Sequence, residues 1–279
     1  MADYLNREEA PLSHEDWERL DKIVVEVARK RLVGRRFITI RGPLGVGIQV
    51  IQKSSLSGMA GGEEIAVSQR ENLAIPMIAK DFRLHWRDIE SSQRLGMPLE
   101  LGPAAAASAV CAQMEDRLIF TGCAHEGEAC ACPGLGLLNV NGRNELETAG
   151  WEKPGRAFQD AVAAIEKLIS AGCYEPYGMV VSPAMYAKLH RMMGRGARLE
   201  IAFIKELMTD GIYQSPVLKA NEGVVVATSL ENLDLVIGQD LITAYLGLDN
   251  MDHPFRIFET VLLRIRRPEA ICTFCVKTG

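Results

Sequence analysis

The sequence of 279 residues has no long apolar run and no excess of basic charge. Its nearest candidate for a membrane span, residues 101–114, is rich in alanine and falls short of the roughly 20 residues that a spanning helix needs. The formal net charge of −5 argues against a protein that wraps nucleic acid, because such proteins are basic. We therefore expect neither a membrane nor a nucleic acid as a partner.

The chain also lacks the short motifs of catalytic and nucleotide-binding sites. Neither Gly-x-Ser-x-Gly nor His-Glu-x-x-His occurs, and the five histidines are scattered. The glycines at 42, 45 and 47 have the wrong order for a dinucleotide fingerprint and lack the lysine of a P-loop, so they predict a turn. We therefore predict no catalytic residues, no cofactor and no enzymatic activity.

The composition is typical of a globular protein of the cytoplasm. Hydrophobic residues make up 48% and charged residues 24%, which is enough apolar material for a sizeable core. The N-terminal residues are partly acidic and show no apolar segment of a secretion signal. We expect a cytoplasmic protein in which most of the seven cysteines are free thiols.

The apolar periodicity predicts a mixed α+β chain without regular βαβ alternation. Ser13 and Asp16 fit a capping box at the start of an amphipathic helix, and residues 103–120 are predicted as one long helix. Residues 36–39 are predicted as a short strand. Extended segments flank the Gly- and Ser-rich residues 54–62, which predicts a long projecting hairpin that lies on another surface.

A loop before residue 136 is unusually rich in cysteine. It places four soft metal ligands within ten residues, namely Cys123, His125, Cys130 and Cys132. Zinc binds such thiolate and imidazole groups in a tetrahedron, but this spacing matches no standard zinc site. Metal binding, a disulfide and a plain thiol-containing loop all stay open, so no firm metal site is predicted.

The segment between Glu175 and Glu200 contains no acidic residue. In a single copy of the chain its cations form an ordinary solvated face, whereas copies around a symmetry axis would form a cationic ring. These cations are Lys188, Arg191, Arg195 and Arg198.

Several short runs occur in a specific order along nearly the whole chain. They are Ala10-Pro11-Leu12 followed by Trp17, Leu32-Val33-Gly34-Arg35-Arg36, Gly42-Pro43, Arg83-Leu84-His85-Trp86-Arg87-Asp88, Glu115-Asp116-Arg117-Leu118-Ile119-Phe120, Pro176-Tyr177, Ile237-Gly238-Gln239-Asp240-Leu241 and Pro268-Glu269-Ala270. On these residues the chain resembles the family 1 encapsulins. These are the shell proteins of bacterial nanocompartments, and they share the Hong Kong 97-type phage capsid fold.

The resemblance implies an α+β capsid subunit with three parts. A peripheral domain would comprise residues 1–47, 76–132 and 218–279, with an N-terminal arm and helix at 1–34. Residues 48–75 would form an extended loop on a neighbouring subunit, and residues 133–217 would form an axial domain around the symmetry axes.

The resemblance also implies a structural function. Many copies would close into an icosahedral shell around cargo enzymes of the ferritin-like or peroxidase type, which serve iron storage or protection from oxidants. Cargo would dock through a C-terminal targeting peptide, with Arg35 and Asp240 fixing its register and apolar residues accepting its aliphatic side chains. The implied peptide-binding residues are Ala28, Leu32, Arg35, Asp240, Leu241 and Ile242.

The basic segment falls where the family has an axial pore. Its arginines predict a cationic pore that favours small anions. The implied pore loop is Met193, Gly194, Arg195, Gly196 and Arg198.

The cysteine-rich loop departs from the family, because residues 128–133 look inserted. The alternative is a phage-type major capsid protein that packages DNA. The net negative charge and the runs that contain Arg35 and Gln239-Asp240-Leu241 favour an encapsulin over this alternative.

Overall fold

The computed structural model describes residues 4–57, 66–122, 136–193 and 198–276. The α-helices are α1 (His14–Arg31), α2 (Trp86–Leu95), α3 (Gly102–Thr121), α4 (Arg156–Ser170), α5 (Pro183–Lys188) and α6 (Glu200–Leu207). The strands are β1 (Ile40–Arg41), β2 (Val50–Ser57), β3 (Ala66–Ala74), β4 (Met77–Leu84), β5 (Asn144–Thr148), β6 (Tyr177–Val181), β7 (Ile212–Gln214), β8 (Gly223–Ala227), β9 (Leu233–Tyr245), β10 (His253–Ile265) and β11 (Ile271–Val276). This confirms the predicted mixed α+β chain. No helix in the described part is both long enough and apolar enough to cross a bilayer.

Helix α1 begins at the predicted capping box. Ser13 Oγ accepts a hydrogen bond from Asp16 N, and the Asp16 carboxylate accepts one from Ser13 N. Three basic residues in the last turn favour the helix C-terminus through its dipole. The residues that α1 buries recur at helical spacing and are Trp17, Leu20, Val24 and Ala28.

The first sheet has four strands in the order β1-β9-β10-β4. Strand β10 pairs antiparallel with both β9 and β4, and β1 adds a short parallel edge on β9. Helix α3 packs on β10 and β4, and its many small residues allow a close approach. Ser108 Oγ of α3 donates to Val24 O over 2.7 Å, which ties α3 to α1. These layers enclose the larger hydrophobic core.

The second sheet has five strands in the order β5-β11-β8-β6-β7, and α4 and α6 cover a second core. In this core Trp151 Nε1 donates to Asp160 Oδ2 over 3.0 Å. Residues 218–279 contribute β9 and β10 to the first sheet but β8 and β11 to the second. The domain boundaries stay a prediction.

Strands β2 and β3 form a two-stranded antiparallel sheet, which confirms the predicted hairpin. Residues 54–57, predicted as part of the tip, are paired in β2, whereas residues 58–62 lie outside the described residues. Near the base of the hairpin Arg264 Nη1 donates to Gln52 O over 2.9 Å. The same guanidinium binds both oxygens of Asp234 over 2.9 and 2.6 Å, and both side chains are buried. A buried ion pair therefore anchors the base of this hairpin.

The predicted strand at residues 36–39 is wrong. A 3-10 helix spans Gly34–Arg36, and β1 begins only at Ile40. The cause is tertiary, because Asp116 Oδ1 of α3 accepts hydrogen bonds from Val33 N and Gly34 N over 2.9 and 3.0 Å. These bonds hold the chain in a tight turn directly after α1, so it cannot extend there.

Candidate functional site

A groove of about 300 Å³ lies between the C-terminal half of α1, the 3-10 helix and β9. We call it the α1–β9 groove. It contains five of the six residues predicted to bind a cargo peptide, from two segments far apart in the chain. Its lining is Val25, Ala28, Arg29, Leu32, Arg35, Arg36, Asp240 and Leu241.

The α1 wall of the groove is mostly apolar, and Arg29 is its charged residue. Val25, Ala28 and Leu32 are three and four residues apart, so they line one side of the helix and its C-cap. Val25 is 44% exposed. Ala28 and Leu32 are buried against Ala112 of α3, and Leu241 packs on them from β9. The wall thus combines a buried apolar floor with an exposed valine.

The β9 wall is shaped by two β-bulges. Six residues of β9, 237–242, face only four residues of β10, 258–261. Thr260 Oγ1 accepts from Gln239 N over 2.7 Å, and a Cβ on Gly238 would lie 2.5 Å from the same oxygen. Adjacent residues of a regular strand point to opposite faces, but the bulges let both Asp240 and Leu241 reach the groove.

Three carboxyl groups surround the Arg35 guanidinium behind the groove. Nε and Nη2 donate to Glu115 of α3 over 2.9 and 2.7 Å. Nη2 also donates to Glu259 of β10 over 2.6 Å, and Nη1 donates to Asp240 over 2.7 Å. The side chains of Glu115 and Glu259 are 0% and 1% exposed, whereas that of Asp240 is 56% exposed. Arg35 therefore joins a buried carboxyl pair to an exposed carboxylate in the groove.

The buried position of Glu259 disfavours its charged form. Burial raises the pKa of Glu259 well above the usual range of a carboxyl, and the charge of Glu115 raises it further. Glu259 Oε1 finds no hydrogen-bond partner among the described residues. Burial therefore favours the neutral form of Glu259. Asp240, at the groove, is the most exposed of the three carboxyl groups around Arg35.

Asp240 has one engaged and one free carboxylate oxygen. Oδ1 accepts from Arg35 Nη1 over 2.7 Å and from Leu241 N over 2.8 Å. Oδ2 has no partner in the described part of the chain. A ligand in the groove would meet this oxygen as a charged hydrogen-bond acceptor.

The lining of the groove lacks one residue that was predicted and contains three that were not. Among the described residues Ile242 is not in the lining, because it pairs with Phe258 beyond the bulge and is half-buried. Val25 and Arg29 were missed, although helical spacing signals both. Val25 lies three residues before Ala28, and Arg29 lies three residues before Leu32. Arg36 was also missed, and no sequence pattern signals it, because its position depends on the unpredicted 3-10 helix.

The predicted pore loop is only partly described. Gly194, Arg195 and Gly196 lie outside the described residues, while Met193 and Arg198 lie inside. Arg198 Nη2 donates to Glu206 Oε1 of α6, and its guanidinium lies 4.7 Å from the Phe203 ring centroid. An acid from beyond the acid-free segment thus balances the Arg198 charge.

The candidate metal ligands Cys123, His125, Cys130 and Cys132 lie outside the described residues, so this loop stays a prediction. Within residues 4–57, 66–122, 136–193 and 198–276, no three His, Cys, Asp or Glu side chains are grouped to hold a metal ion. Cys272 is buried and Cys275 exposed, because residues three apart in a strand lie on opposite faces of β11.

Comparison with known proteins identifies the family. Residues 2–262 match the family described as "Encapsulating protein for peroxidase". The chain is 44% identical to the type 1 encapsulin shell protein EncA of Myxococcus xanthus, over 98% of this chain and 96% of that protein. This chain belongs to the encapsulin shell protein family. Encapsulins of this family are structural shell proteins rather than enzymes.

A second relative joins an encapsulin shell chain to another protein in one polypeptide. The diheme-cytochrome-encapsulin shell fusion protein of Kuenenia stuttgartiensis is 39% identical, over 95% of this chain and 74% of that protein. Its extra length beyond the matched part is consistent with the fused cytochrome that its name states.

The fold of this chain matches those of solved particles whose sequences are only distantly similar. A virus-like particle from Pyrococcus furiosus superimposes with a TM-score of 0.78 at 20% identity, over 93% of this chain and 99% of that chain. The capsid of Myoviridae phage XM1 gives 0.65 at 11% identity, over 87% and 90%. The predicted α+β phage capsid fold is therefore confirmed.

Proposed function

We propose that this chain is the subunit of a closed icosahedral shell that encloses cargo enzymes in the cytoplasm. Membership of the encapsulin family supports this, as does the fold of a virus-like particle. Large apolar side chains also stay uncovered on the single chain, including Leu95, Leu248 and Met251, which are 75%, 68% and 58% exposed. Closed symmetry covers such surfaces repeatedly and leaves no free edge.

The α1–β9 groove is the proposed docking site for a C-terminal targeting peptide of the cargo. One observation carries this proposal: two segments of distant sequence converge on an apolar floor beside a free carboxylate oxygen. Aliphatic side chains of the peptide would pack on Leu32 and Leu241, and an N–H of the peptide would bond to Asp240. Ferritin-like and peroxidase-type enzymes are the proposed cargo. The description of the matched family, which names peroxidase, supports the second type.

Assembly is tested by negative-stain microscopy of the chain expressed alone. We expect closed hollow particles of uniform diameter, and that diameter yields the copy number. Monomers or small oligomers would contradict the shell. Purified particles should also lack the absorbance of nucleic acid, whereas nuclease-protected DNA would favour a phage-type capsid.

Docking is tested with a green fluorescent protein that carries, in turn, the C-terminal tail of each protein encoded beside the shell gene. We expect shells to retain the fluorescence for at least one tail. Val25→Asp should then abolish loading without affecting assembly, because it places a charge on the exposed apolar wall. Val162→Asp is the matched control, since Val162 is 42% exposed on α4 and does not line the groove.

A cationic pore is the second part of the proposal. The acid-free segment that contains Met193, Gly194, Arg195, Gly196 and Arg198 supports it. Because Glu206 balances Arg198, we expect Arg195→Ser to slow phosphate entry into loaded shells more than Arg198→Ser does. Unchanged entry in the double variant would contradict a cationic pore.

A further inference from the structure

Arg–Asp pairs in the described part of the chain show two geometries. Arg83 with Asp249 and Arg266 with Asp234 each make one contact, whereas three other pairs make two. Arg7 with Asp21, Arg256 with Asp81, and Arg264 with Asp234 each use two guanidinium nitrogens on two carboxylate oxygens. This bidentate geometry is frequent for an arginine beside a carboxylate, because it pairs two N–H groups with two oxygens. Arg35 instead binds Asp240 through one nitrogen and one oxygen.

The buried glutamates account for the single contact between Arg35 and Asp240. Glu115 occupies the Nε–Nη2 edge of the guanidinium, and Glu259 takes the second N–H of Nη2. Of the five N–H groups of Arg35, one on Nε, two on Nη2 and one on Nη1 are thus engaged. Only Nη1 is left for Asp240. Arg35 therefore lacks the second nitrogen that it would need to bind both oxygens of this carboxylate.

We propose that Glu115 and Glu259 are positioning residues of the α1–β9 groove: they hold Arg35 so that it fixes Asp240 Oδ1 and leaves Oδ2 free for an N–H of the docked peptide. This inference rests on the proposed function, because it names a contact of the same peptide. Leu241 N supports the arrangement by binding Oδ1 as well, which fixes the plane of the carboxylate. Arg35 itself has little donor capacity left for a ligand. The polar recognition predicted for Arg35 and Asp240 together therefore falls to Asp240.

The first test compares loading per assembled shell at cargo levels below saturation, with the fluorescent probe and tail retained by wild-type shells. Asp240→Asn replaces one acceptor oxygen by a donor and should lower loading about tenfold, the usual effect of losing a hydrogen bond to a charged group. Glu115→Gln should lower loading similarly. The amide has one acceptor oxygen instead of two, so Arg35 is held less firmly and can turn to bind both oxygens of Asp240. If Glu115 acts through Asp240, the two changes are not additive. The double variant Glu115→Gln/Asp240→Asn should then load no less cargo than the single variant that loads less.

Glu259 is tested by a conservative and a disruptive change. Glu259→Gln is a neutral amide that still accepts from Arg35, so loading should stay at the wild-type level. Glu259→Met removes the acceptor and should lower loading. If both variants load like wild type, Glu259 has no positioning role. If Glu115→Gln does not assemble, Asp240→Asn and the Glu259 variants decide the question.

Two controls separate this inference from stability and from docking itself. Asp234→Asn disturbs another buried carboxylate of β9 away from the groove, so it should lower thermal stability without lowering loading per shell. If Val25→Asp abolishes loading while Glu115→Gln and Asp240→Asn leave it unchanged, the groove is the docking site and the positioning inference is wrong. If Val25→Asp loads like wild type, the docking site itself is wrong.

Discussion

Arg35 Nη1 donates to Asp240 Oδ1 over 2.7 Å, although the two residues are 205 positions apart in the chain. The contact joins the 3-10 helix after α1 to the bulge of β9. One wall of the α1–β9 groove is thus built at the start of the chain and the other near its end. The groove therefore forms only when α1 and α3 have packed on the first sheet.

Arg35→Ala should strongly destabilise the subunit. It leaves Glu115 and Glu259 buried without their cation, which costs about 3–5 kcal/mol. Without Arg35 the fold favours the neutral carboxyls, so the loss should grow as pH rises and shrink as pH falls. Chemical denaturation of wild type and variant at pH 5 and pH 8 measures this. An equal loss at both pH values would contradict the buried-pair account.

Asp116→Asn should change how stability depends on pH. Burial raises the pKa of Asp116 to about 7 from 3.8, although the backbone N–H groups of Gly34 and Val33 oppose the rise. A carboxyl with a raised folded pKa stabilises the fold when protonated, and this contribution is lost as pH rises from about 4 to about 7. Relative to Asp116→Asn, wild type should lose up to about 4 kcal/mol over this range and change little above pH 7.

Thermal denaturation of both proteins from pH 4 to pH 8 checks the Asp116 prediction. The difference between their midpoints is the relevant quantity, because titration of other groups affects both proteins alike. A difference that stays constant with pH would show that Asp116 is ionised throughout.

Asp234→Ala should loosen the base of the hairpin. It leaves the Arg264 guanidinium buried and largely uncompensated, at a cost of about 3–5 kcal/mol. Because Arg264 also binds Gln52 O, faster hydrogen exchange is expected in β2. Asp81→Ala is the matched control, since its pair with Arg256 is solvent-exposed and should be worth less than about 1 kcal/mol. Equal effects of the two variants would contradict this anchor.

Gly42→Ala should destabilise the turn that leads from β1 to the hairpin. Gly42 has a φ of +134°, and a Cβ there would lie 2.2 Å from Ile237 O. We expect a cost of about 1–3 kcal/mol from backbone strain and displacement of β9. Gly47→Ala meets no atom within 4 Å and should change the free energy of unfolding by less than about 0.5 kcal/mol. Thermal midpoints of the two variants provide the comparison.

Local structure was largely predictable because it depends on neighbours in sequence. The Ser13 capping box, the long helix α3 and the hairpin arms β2 and β3 follow from side-chain spacing and turn residues alone. The strand predicted at residues 36–39 failed because Asp116, far along the chain, captures the backbone there. A short apolar segment carries no sign of such a distant acceptor.

From the sequence alone, periodicity predicted the α+β class, and the family resemblance carried by the ordered motifs implied the capsid fold and five residues of the groove. Both are properties of the chain itself. The tertiary structure decided how those residues are used. Bulges in β9 turned Asp240 and Leu241 to the same side and left Ile242 outside. Glu115 and Glu259 carry no local signal, yet in a buried, low-dielectric site their hydrogen bonds to Arg35 set the geometry of its guanidinium. Those contacts form only when the helices and the sheet have come together.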